Sequence, residues 1–120
     1  MVRNILITGG AGYIGSHISE TLIKKNKKIF VIDNLSTGYR KLIHEKAIFF
    51  KLDISNKKEI NKILIRYKID SIIHLAAKLI IGEGQKKPKK YYNNNVIGTK
   101  KLLEACKNTS VKNFVFSTAA

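Results

Sequence analysis

The sequence contains few of the residues that stabilise small secreted domains, and it has no long apolar run. Among 120 residues there are one cysteine, Cys106, one proline and no tryptophan. A lone cysteine cannot form an internal disulfide, which fits a reducing compartment. The apolar runs are far shorter than the roughly 20 residues that a membrane span needs, and the N-terminus lacks a secretory pattern. We therefore expect a soluble, cytoplasmic chain without a membrane partner.

Acidic residues are also scarce. Eight Asp and Glu stand against 23 Lys and Arg, so the formal net charge is +15. Such a charge makes nucleic-acid binding a candidate function. However, only three of the cations are arginines, and no aromatic residues interleave with the lysine clusters at 24–28 and 86–90. The excess of lysine occurs together with 19 isoleucines and 10 asparagines, which indicates a general bias in amino-acid composition and not a binding surface. We predict no nucleic-acid partner and no metal site.

Strand and helix patterns alternate along the chain. Hydrophobic residues make up 44% of it, enough for a folded core, and 120 residues allow at most one ordinary domain. Apolar, β-branched runs predict strands at 2–8, 28–33, 47–52, 69–75 and 111–116. Helical spacing of apolar residues predicts helices at 13–25, after a capping box at Asn56 and Glu59, and from about 88 to 107.

This alternation predicts the fold. Strands separated by helices pair in parallel through right-handed crossovers. We expect an α/β fold, a Rossmann-type open parallel sheet with five strands in the order 3-2-1-4-5. No helical pattern follows the fifth strand, so part of one sheet face is expected to be uncovered and the domain to be incomplete.

The first strand–helix junction carries the glycine-rich run Thr8-Gly9-Gly10-Ala11-Gly12-Tyr13-Ile14-Gly15, whose spacing and position match a dinucleotide-binding fingerprint. Glycines here allow a tight turn and let a pyrophosphate approach bare backbone, while Gly15 lets the helix pack closely. The helix N-terminus adds free amides and a positive dipole. A tight turn without any ligand is the alternative.

A carboxylate ends the second predicted strand. Asp33 follows Gly15 by 18 residues and can accept both ribose hydroxyls of an adenosine. It would repel a 2′-phosphate, and the nearest arginine, Arg40, comes seven residues later. This pattern favours NAD over NADP. Alternatively, Asp33 opens the turn together with Asn34.

Small and polar residues occur at the other strand ends, where an open parallel sheet binds its ligands. Asp53 either reaches the adenine or caps the next helix. His74, inside an apolar strand, is predicted to be a core histidine with hydrogen-bond partners. Asn95 shares a helical face with Thr99 and Leu102 and should point inward, where its amide needs a partner. That partner is a backbone group, a water or the cofactor, and we favour a position near the nicotinamide.

Together these motifs resemble the extended short-chain dehydrogenase/reductase family, over essentially all 120 residues. The likeness rests on the segments 8–17, 33–38, 53–54, 74–77 and 91–99. It implies a tightly held NAD that oxidises the C4 hydroxyl of a nucleotide sugar and returns the hydride to the other face of a 4-keto intermediate. A UDP-hexose is the implied substrate, and a homodimer is left open.

The resemblance also implies roles by position, all along one bound cofactor. Tyr13 and Ile14, next to Gly9 and Gly12, would lie at the pyrophosphate, and Asn95 would lie at the nicotinamide side. The adenosine ribose would be contacted by the run Asp33, Asn34, Leu35, Ser36, Thr37 and Gly38, and the adenine by Asp53 and Ile54. The middle of the cofactor would lie near Leu75, Ala76, Ala77 and Leu79. Ser117 or Thr118 would supply the hydroxyl next to the reacting C4 oxygen.

The sequence departs from the family pattern at three places. The run at 116–120 is one residue shorter than expected, and Gly84 replaces a serine. None of the five tyrosines has a lysine four positions on, so the family's Tyr-x-x-x-Lys, whose tyrosine is the general base, is absent. We expect residues 1–120 to be the cofactor-binding part of such an enzyme and not to catalyse alone. Another nucleotide-sugar dehydratase or epimerase, or a non-catalytic nucleotide-binding module, are the alternatives.

Overall fold

Five short apolar runs form one parallel sheet in the computed structural model, which describes residues 3–35, 39–75 and 98–116. The strands are β1 (Asn4–Thr8), β2 (Lys28–Asp33), β3 (Ile48–Lys51), β4 (Ser71–His74) and β5 (Asn113–Phe116). Their order is β3-β2-β1-β4-β5, and each neighbouring pair is parallel. The predicted fold class and strand order are confirmed.

Helices connect the strands where the apolar period changes to that of a helix. They are α1 (Tyr13–Lys24), α2 (Lys57–Arg66) and α3 (Gly98–Ala105), with a short 3₁₀ turn at Arg40–Leu42. Asn56 is the N-cap of α2, and its side chain accepts a hydrogen bond from the Glu59 amide at 3.4 Å. This confirms half of the predicted capping box. Residues 88–97 of the predicted third helix lie outside the described residues.

Both faces of the central strands are buried, because alternate side chains of β1 and β2 point to opposite sides. On one face Ile5, Ile7, Ile29 and Val31 pack against α1 residues such as Ile18. On the other face a larger cluster joins the sheet to α2 and α3, with Leu6, Phe30, Ile32, Ile60, Ile63, Leu64, Ile72 and Leu102. The sheet is therefore covered by α1 on one side and by α2 and α3 on the other.

The outermost strands are less buried than the centre. Val115 and Phe116 of β5 are 56% and 40% exposed, whereas Leu6 and Ile7 of β1 are fully buried. In the described ranges, no helix is both long and apolar enough to cross a bilayer. Within those same ranges, no group of three or more acidic, histidine or cysteine side chains is placed to hold a metal ion.

Candidate nucleotide-binding site

The turn between β1 and α1 folds back tightly on the sheet. Gly9 has φ of 75°, a left-handed conformation that glycine adopts without strain. Its amide donates to the Ile32 carbonyl at 2.9 Å, and the Gly12 amide donates to the Gly9 carbonyl at 3.1 Å. The turn is thus anchored to β2 and closed on itself.

Two further glycines are required by packing inside the protein. A Cβ on Gly15 would lie 2.6 Å from the Gly9 carbonyl oxygen and 2.7 Å from the Gly10 Cα. A Cβ on Gly10 would lie 2.6 Å from Cγ1 of Val31. The sequence prediction that Gly15 allows close packing agrees with this contact, although the helix meets the turn and not the strand. Gly10, a glycine of the same predicted fingerprint, packs against Val31 of β2.

Gly12 differs from these two glycines. A Cβ there would meet only the Gly9 carbonyl oxygen, at an ordinary 3.4 Å, and its φ of −82° suits any residue. Among the residues that the structure describes, neither packing nor backbone conformation therefore requires a glycine at this position. Glycine is favoured over alanine at an N-cap, and a main chain without a side chain would also let a ligand approach closely.

Helix α1 begins directly after Gly12. Gly12 is the N-cap, and the first helical hydrogen bond runs from the Ser16 amide to the Gly12 carbonyl at 2.9 Å. The amides of residues 13–15 precede that bond and lie at the positive end of the helix dipole. The first turn carries no acidic side chain, and the side chains of Tyr13 and Ile14 are 71% and 66% exposed. This end of the helix suits an anion such as a phosphate.

Asp33 lies directly beside the glycine-rich turn. The residue is 9% exposed, and its Oδ2 accepts a hydrogen bond from the Ala11 amide at 3.0 Å. Oδ1 accepts from the Leu35 amide at 2.7 Å, which is the turn-opening role that the sequence offered as an alternative. Each carboxylate oxygen has a second lone pair, so the group can still accept from a ligand hydroxyl. Asp33 can therefore open the turn and still accept a hydrogen bond from a ribose hydroxyl.

The contact between Ala11 and Asp33 joins residues 22 positions apart and had no signal in the sequence. Ala11 is fully buried, and its carbonyl also accepts from the Tyr39 amide at 3.0 Å. The turn after β1 and the chain after β2 are thus tied together through one residue. No pattern in the sequence marked Ala11 or Tyr39, since neither acts through its side chain.

Asp53 is the next carboxylate on this rim. Its Oδ2 accepts from the Asn34 side-chain amide at 3.2 Å, and its Oδ1 accepts from the Ser55 amide at 2.9 Å. The alternative that Asp53 caps the next helix is wrong, because Asn56 is the N-cap of α2 and Asp53 shapes the turn before it. Ile54 is buried in the core, and its role at the adenine stays a prediction.

His74 is a buried histidine with two partners, as predicted. Its Nδ1 lies 2.6 Å from the Thr8 hydroxyl, and its Nε2 lies 3.0 Å from the Thr99 hydroxyl. Burial lowers the pKa of His74 to about 4, so the imidazole is neutral at pH 7. Leu75, the next residue, donates its amide to the Thr8 carbonyl at 2.9 Å. The structure therefore places Gly9, Gly12, Gly15, Asp33, Asn34, Asp53 and Leu75 at the carboxyl ends of neighbouring strands.

Several predicted site residues lie outside the described residues, and their roles stay predictions. They are Ser36, Thr37, Gly38, Ala76, Ala77, Leu79, Asn95, Ser117 and Thr118.

Known proteins share this arrangement of turn, helix and strand ends. A family model described as the NAD dependent epimerase/dehydratase family matches residues 5–120. The chain belongs to this family.

Among curated relatives of this NAD dependent epimerase/dehydratase family member, the UDP-glucose 4-epimerase of Lactobacillus helveticus is 46% identical over 116 residues. That match covers 97% of this chain and 35% of the relative. A UDP-glucose 4-epimerase of Klebsiella pneumoniae is 38% identical over 123 residues, covering 97% of this chain and 88% of that sequence. This member of the family therefore spans 35% of the length of the first relative and most of the second.

Solved structures of UDP-glucose 4-epimerases also match nearly all of this family member and about a third of their own length. A crystal structure of UDP-glucose 4-epimerase superposes with a TM-score of 0.93 at 40% identity, covering 98% of this chain and 36% of that chain. The UDP-glucose 4-epimerase of Brucella ovis, solved in complex with NAD, superposes with a TM-score of 0.90 at 38% identity. That match covers 96% of this chain and 35% of the Brucella ovis chain.

Proposed function

We propose that this chain is the NAD-binding part of an enzyme that epimerises UDP-hexoses at C4. Relatives that match nearly the whole chain are UDP-glucose 4-epimerases. Related structures are described with NAD or with UDP-glucose bound. NAD would supply the hydride chemistry, and the protein would hold and orient it.

The hydrogen bond from the Ala11 amide to Asp33 Oδ2 carries this proposal. Ala11 belongs to the glycine-rich turn, so the bond fixes a carboxylate next to the amides at the start of α1. In an adenosine diphosphate the ribose is joined directly to the phosphates. A site for this group therefore needs an anion-binding main chain and a hydroxyl acceptor side by side, which is the arrangement at residues 9–15 and 33.

The residues present fit NAD. The main chain of Gly9, Gly12 and Gly15 would hold the diphosphate, and position 12 has room that internal packing does not use. Asp33 would accept the ribose hydroxyls through its remaining lone pairs. Asp53, oriented by Asn34, would lie toward the adenine.

Asp33 also supports the choice of NAD over NADP. A 2′-phosphate would lie against a carboxylate that is already held in place by two amides. The guanidinium of Arg40 lies 4.6 Å from the centre of the Phe49 ring, a cation–π contact that restrains it. A phosphate would therefore have to draw this arginine away from Phe49.

Ligand protection against unfolding tests the proposal. At a concentration one hundred times Kd, a ligand of the folded state adds about 2.7 kcal/mol to the free energy of unfolding. We expect NAD to raise the unfolding temperature more than NADP does at equal concentration. Asp33→Asn, which keeps the shape and one acceptor, should narrow that difference.

Glu20→Gln is the matched control, because it removes one negative charge from the exposed side of α1, where Glu20 pairs with Lys24 at 3.2 Å. It should leave the difference between NAD and NADP unchanged. Equal protection of the unmodified chain by NAD and NADP would contradict the role of Asp33, and protection by neither would contradict the proposed function.

A second measurement addresses the epimerase activity itself. We expect the purified chain to bind NAD but not to interconvert UDP-glucose and UDP-galactose, because none of its five tyrosines lies four positions before a lysine. Conversion of UDP-galactose by the chain alone would overturn this expectation.

A further inference from the structure

Three side chains form a hydrogen-bonded chain at the point where the strand order reverses. The chain proceeds from β1 outward to β2 and β3, and then returns to place β4 on the other side of β1. In sheets of this kind the crevice between the two halves is where ligands bind. Thr8 and His74 are register partners at the carboxyl ends of β1 and β4, so they lie at the floor of this crevice.

The imidazole of His74 connects both strands to a helix. Its Nδ1 lies 2.6 Å from the hydroxyl of Thr8, and its Nε2 lies 3.0 Å from the hydroxyl of Thr99 in α3. Thr8 and His74 are both fully buried. The rings of Phe114 and Phe116 in β5 pack beside the imidazole, with centroids 6.1 and 5.2 Å away. The ring therefore packs beside two aromatic side chains, and each of its two nitrogens has a hydroxyl partner.

An imidazole is suited to this connection in a way that other side chains are not. Its two nitrogens lie on different sides of a rigid ring, so it spans two hydroxyls at a fixed separation. A phenylalanine would fill the space without bonding either hydroxyl. An asparagine or glutamine carries both polar atoms at one end of the side chain.

The elements that His74 joins lie on both sides of the candidate cofactor site. Thr8 directly precedes the Gly9–Gly10 turn, and its hydroxyl also accepts a hydrogen bond from the Leu75 amide at 3.0 Å. Thr99 fixes α3, which lies on the β4 side of the switch point. Gly12 and Asp33, on the β1–β2 side, would hold the adenosine half of a dinucleotide, and the second half then extends across β1 toward β4.

We propose that His74 is a positioning residue, whose bonds to Thr8 and Thr99 set the separation between the glycine-rich turn and α3 and so allow the second half of the cofactor to bind. His74 does not contact the ligand, since it is fully buried. This inference rests on the proposed function. It predicts that the bridge affects the binding of NAD but not that of ADP, which needs only the turn and Asp33.

Thr99→Val is the sharpest test, because it removes one hydroxyl from the bridge and keeps the shape of the side chain. We expect the Kd of this variant for NAD to rise about threefold to tenfold. The Kd is measured by calorimetry, on protein that circular dichroism shows to be folded. Its Kd for ADP should stay within about twofold of the unmodified value. His74→Phe should have the same effect on NAD, and the double variant should bind NAD no more weakly than His74→Phe alone.

Thr109→Val is the matched control. The Thr109 hydroxyl donates to the Cys106 carbonyl at 2.5 Å and accepts from the Val111 amide at 3.3 Å, so this variant also loses side-chain hydrogen bonds, away from the crevice. It should lower stability without changing either Kd. If His74→Phe does not fold, Thr99→Val alone still decides the question.

Two results would be adverse, and they are distinguishable. If the unmodified chain binds NAD and Thr99→Val binds it equally well, the positioning role is overturned and the proposed function stands. If the unmodified chain binds neither NAD nor ADP, the proposed function fails and this inference fails with it.

Discussion

Gly12→Ala and Gly15→Ala place the same methyl group at two ends of the first turn of α1, and the expected loss of stability is small at position 12 and larger at position 15. The described part of the chain has room for a Cβ at position 12, where the nearest atom of those residues, the Gly9 carbonyl oxygen, would be 3.4 Å away. At position 15 the Cβ would lie 2.6 and 2.7 Å from two backbone atoms of the Gly9–Gly10 turn. Backbone atoms cannot rotate away as a flexible side chain could, so α1 would have to move.

The magnitudes follow from these contacts. Gly12→Ala replaces an N-cap glycine at an allowed backbone conformation and should cost about 0.5 kcal/mol of stability. Gly15→Ala should cost roughly 2–3 kcal/mol, the upper part of the usual range for overpacking, because the contacts are with backbone, and a helix-propensity gain of up to about 1 kcal/mol offsets a part. A net loss of about 1–2 kcal/mol therefore remains for Gly15→Ala. Both methyl groups should weaken NAD binding at least about tenfold, which corresponds to 1.4 kcal/mol.

Urea unfolding and calorimetric titration with NAD measure the two quantities on the same preparations. The informative variant is Gly12→Ala, which should keep nearly full stability and lose affinity. Unchanged NAD affinity in Gly12→Ala would refute the inference that position 12 is bare because a ligand approaches it. Unchanged stability in Gly15→Ala would refute the packing argument.

Three further predictions concern stability. Burial lowers the pKa of His74 from 6.5 to about 4. The unfolded chain therefore binds more protons between these values, and roughly 3 kcal/mol of stability present at pH 7 should be lost as the pH falls from 6.5 to 4. Urea midpoints measured across this pH range should show the loss in the unmodified chain but not in His74→Phe. The control His17→Gln, which removes an exposed imidazole, should behave like the unmodified chain. Parallel curves for all three proteins would contradict the role of His74. Leu102→Ala, at a fully buried position in the cluster that joins α2 and α3 to the sheet, should cost about 2–5 kcal/mol in thermal unfolding, whereas the half-exposed Leu103→Ala should cost far less. Asn56→Ala removes the cap of α2 and should cost about 1 kcal/mol, and Asn56→Ser should restore most of it; equal stability of both variants would argue against the cap.

The carboxylate of Asp70 acts in a different pH range from His74. Burial raises its pKa, but hydrogen bonds from the amides of Asn4 and Arg3 and from the Ser71 hydroxyl outweigh this, and the pKa lies below 3.8. Stability from Asp70 is therefore present above pH 3.8 and is lost as the pH falls further. Of these two groups, only His74 contributes to the loss of stability expected between pH 6.5 and 4.

The elements and their order could be predicted because their causes are local or general. Apolar periodicity distinguishes strands from helices over a few residues, and the right-handed crossover rule then leaves the order 3-2-1-4-5. The ends of the elements were predicted less accurately, because contacts with other elements determine where a strand begins. Ile69, predicted to start the fourth strand, instead donates its amide to the Leu64 carbonyl at the end of α2, and β4 begins at Ser71.

The sequence by itself determined the glycine-rich turn, the carboxylate at the end of β2 and the buried state of His74, since each depends on residue type and position within one element. Only the tertiary structure decided what these residues contact. The Ala11–Asp33 and Thr8–His74–Thr99 hydrogen bonds join segments between 22 and 66 positions apart. Such contacts depend on how the strands come together at one end of the sheet, and no local pattern of side chains encodes them.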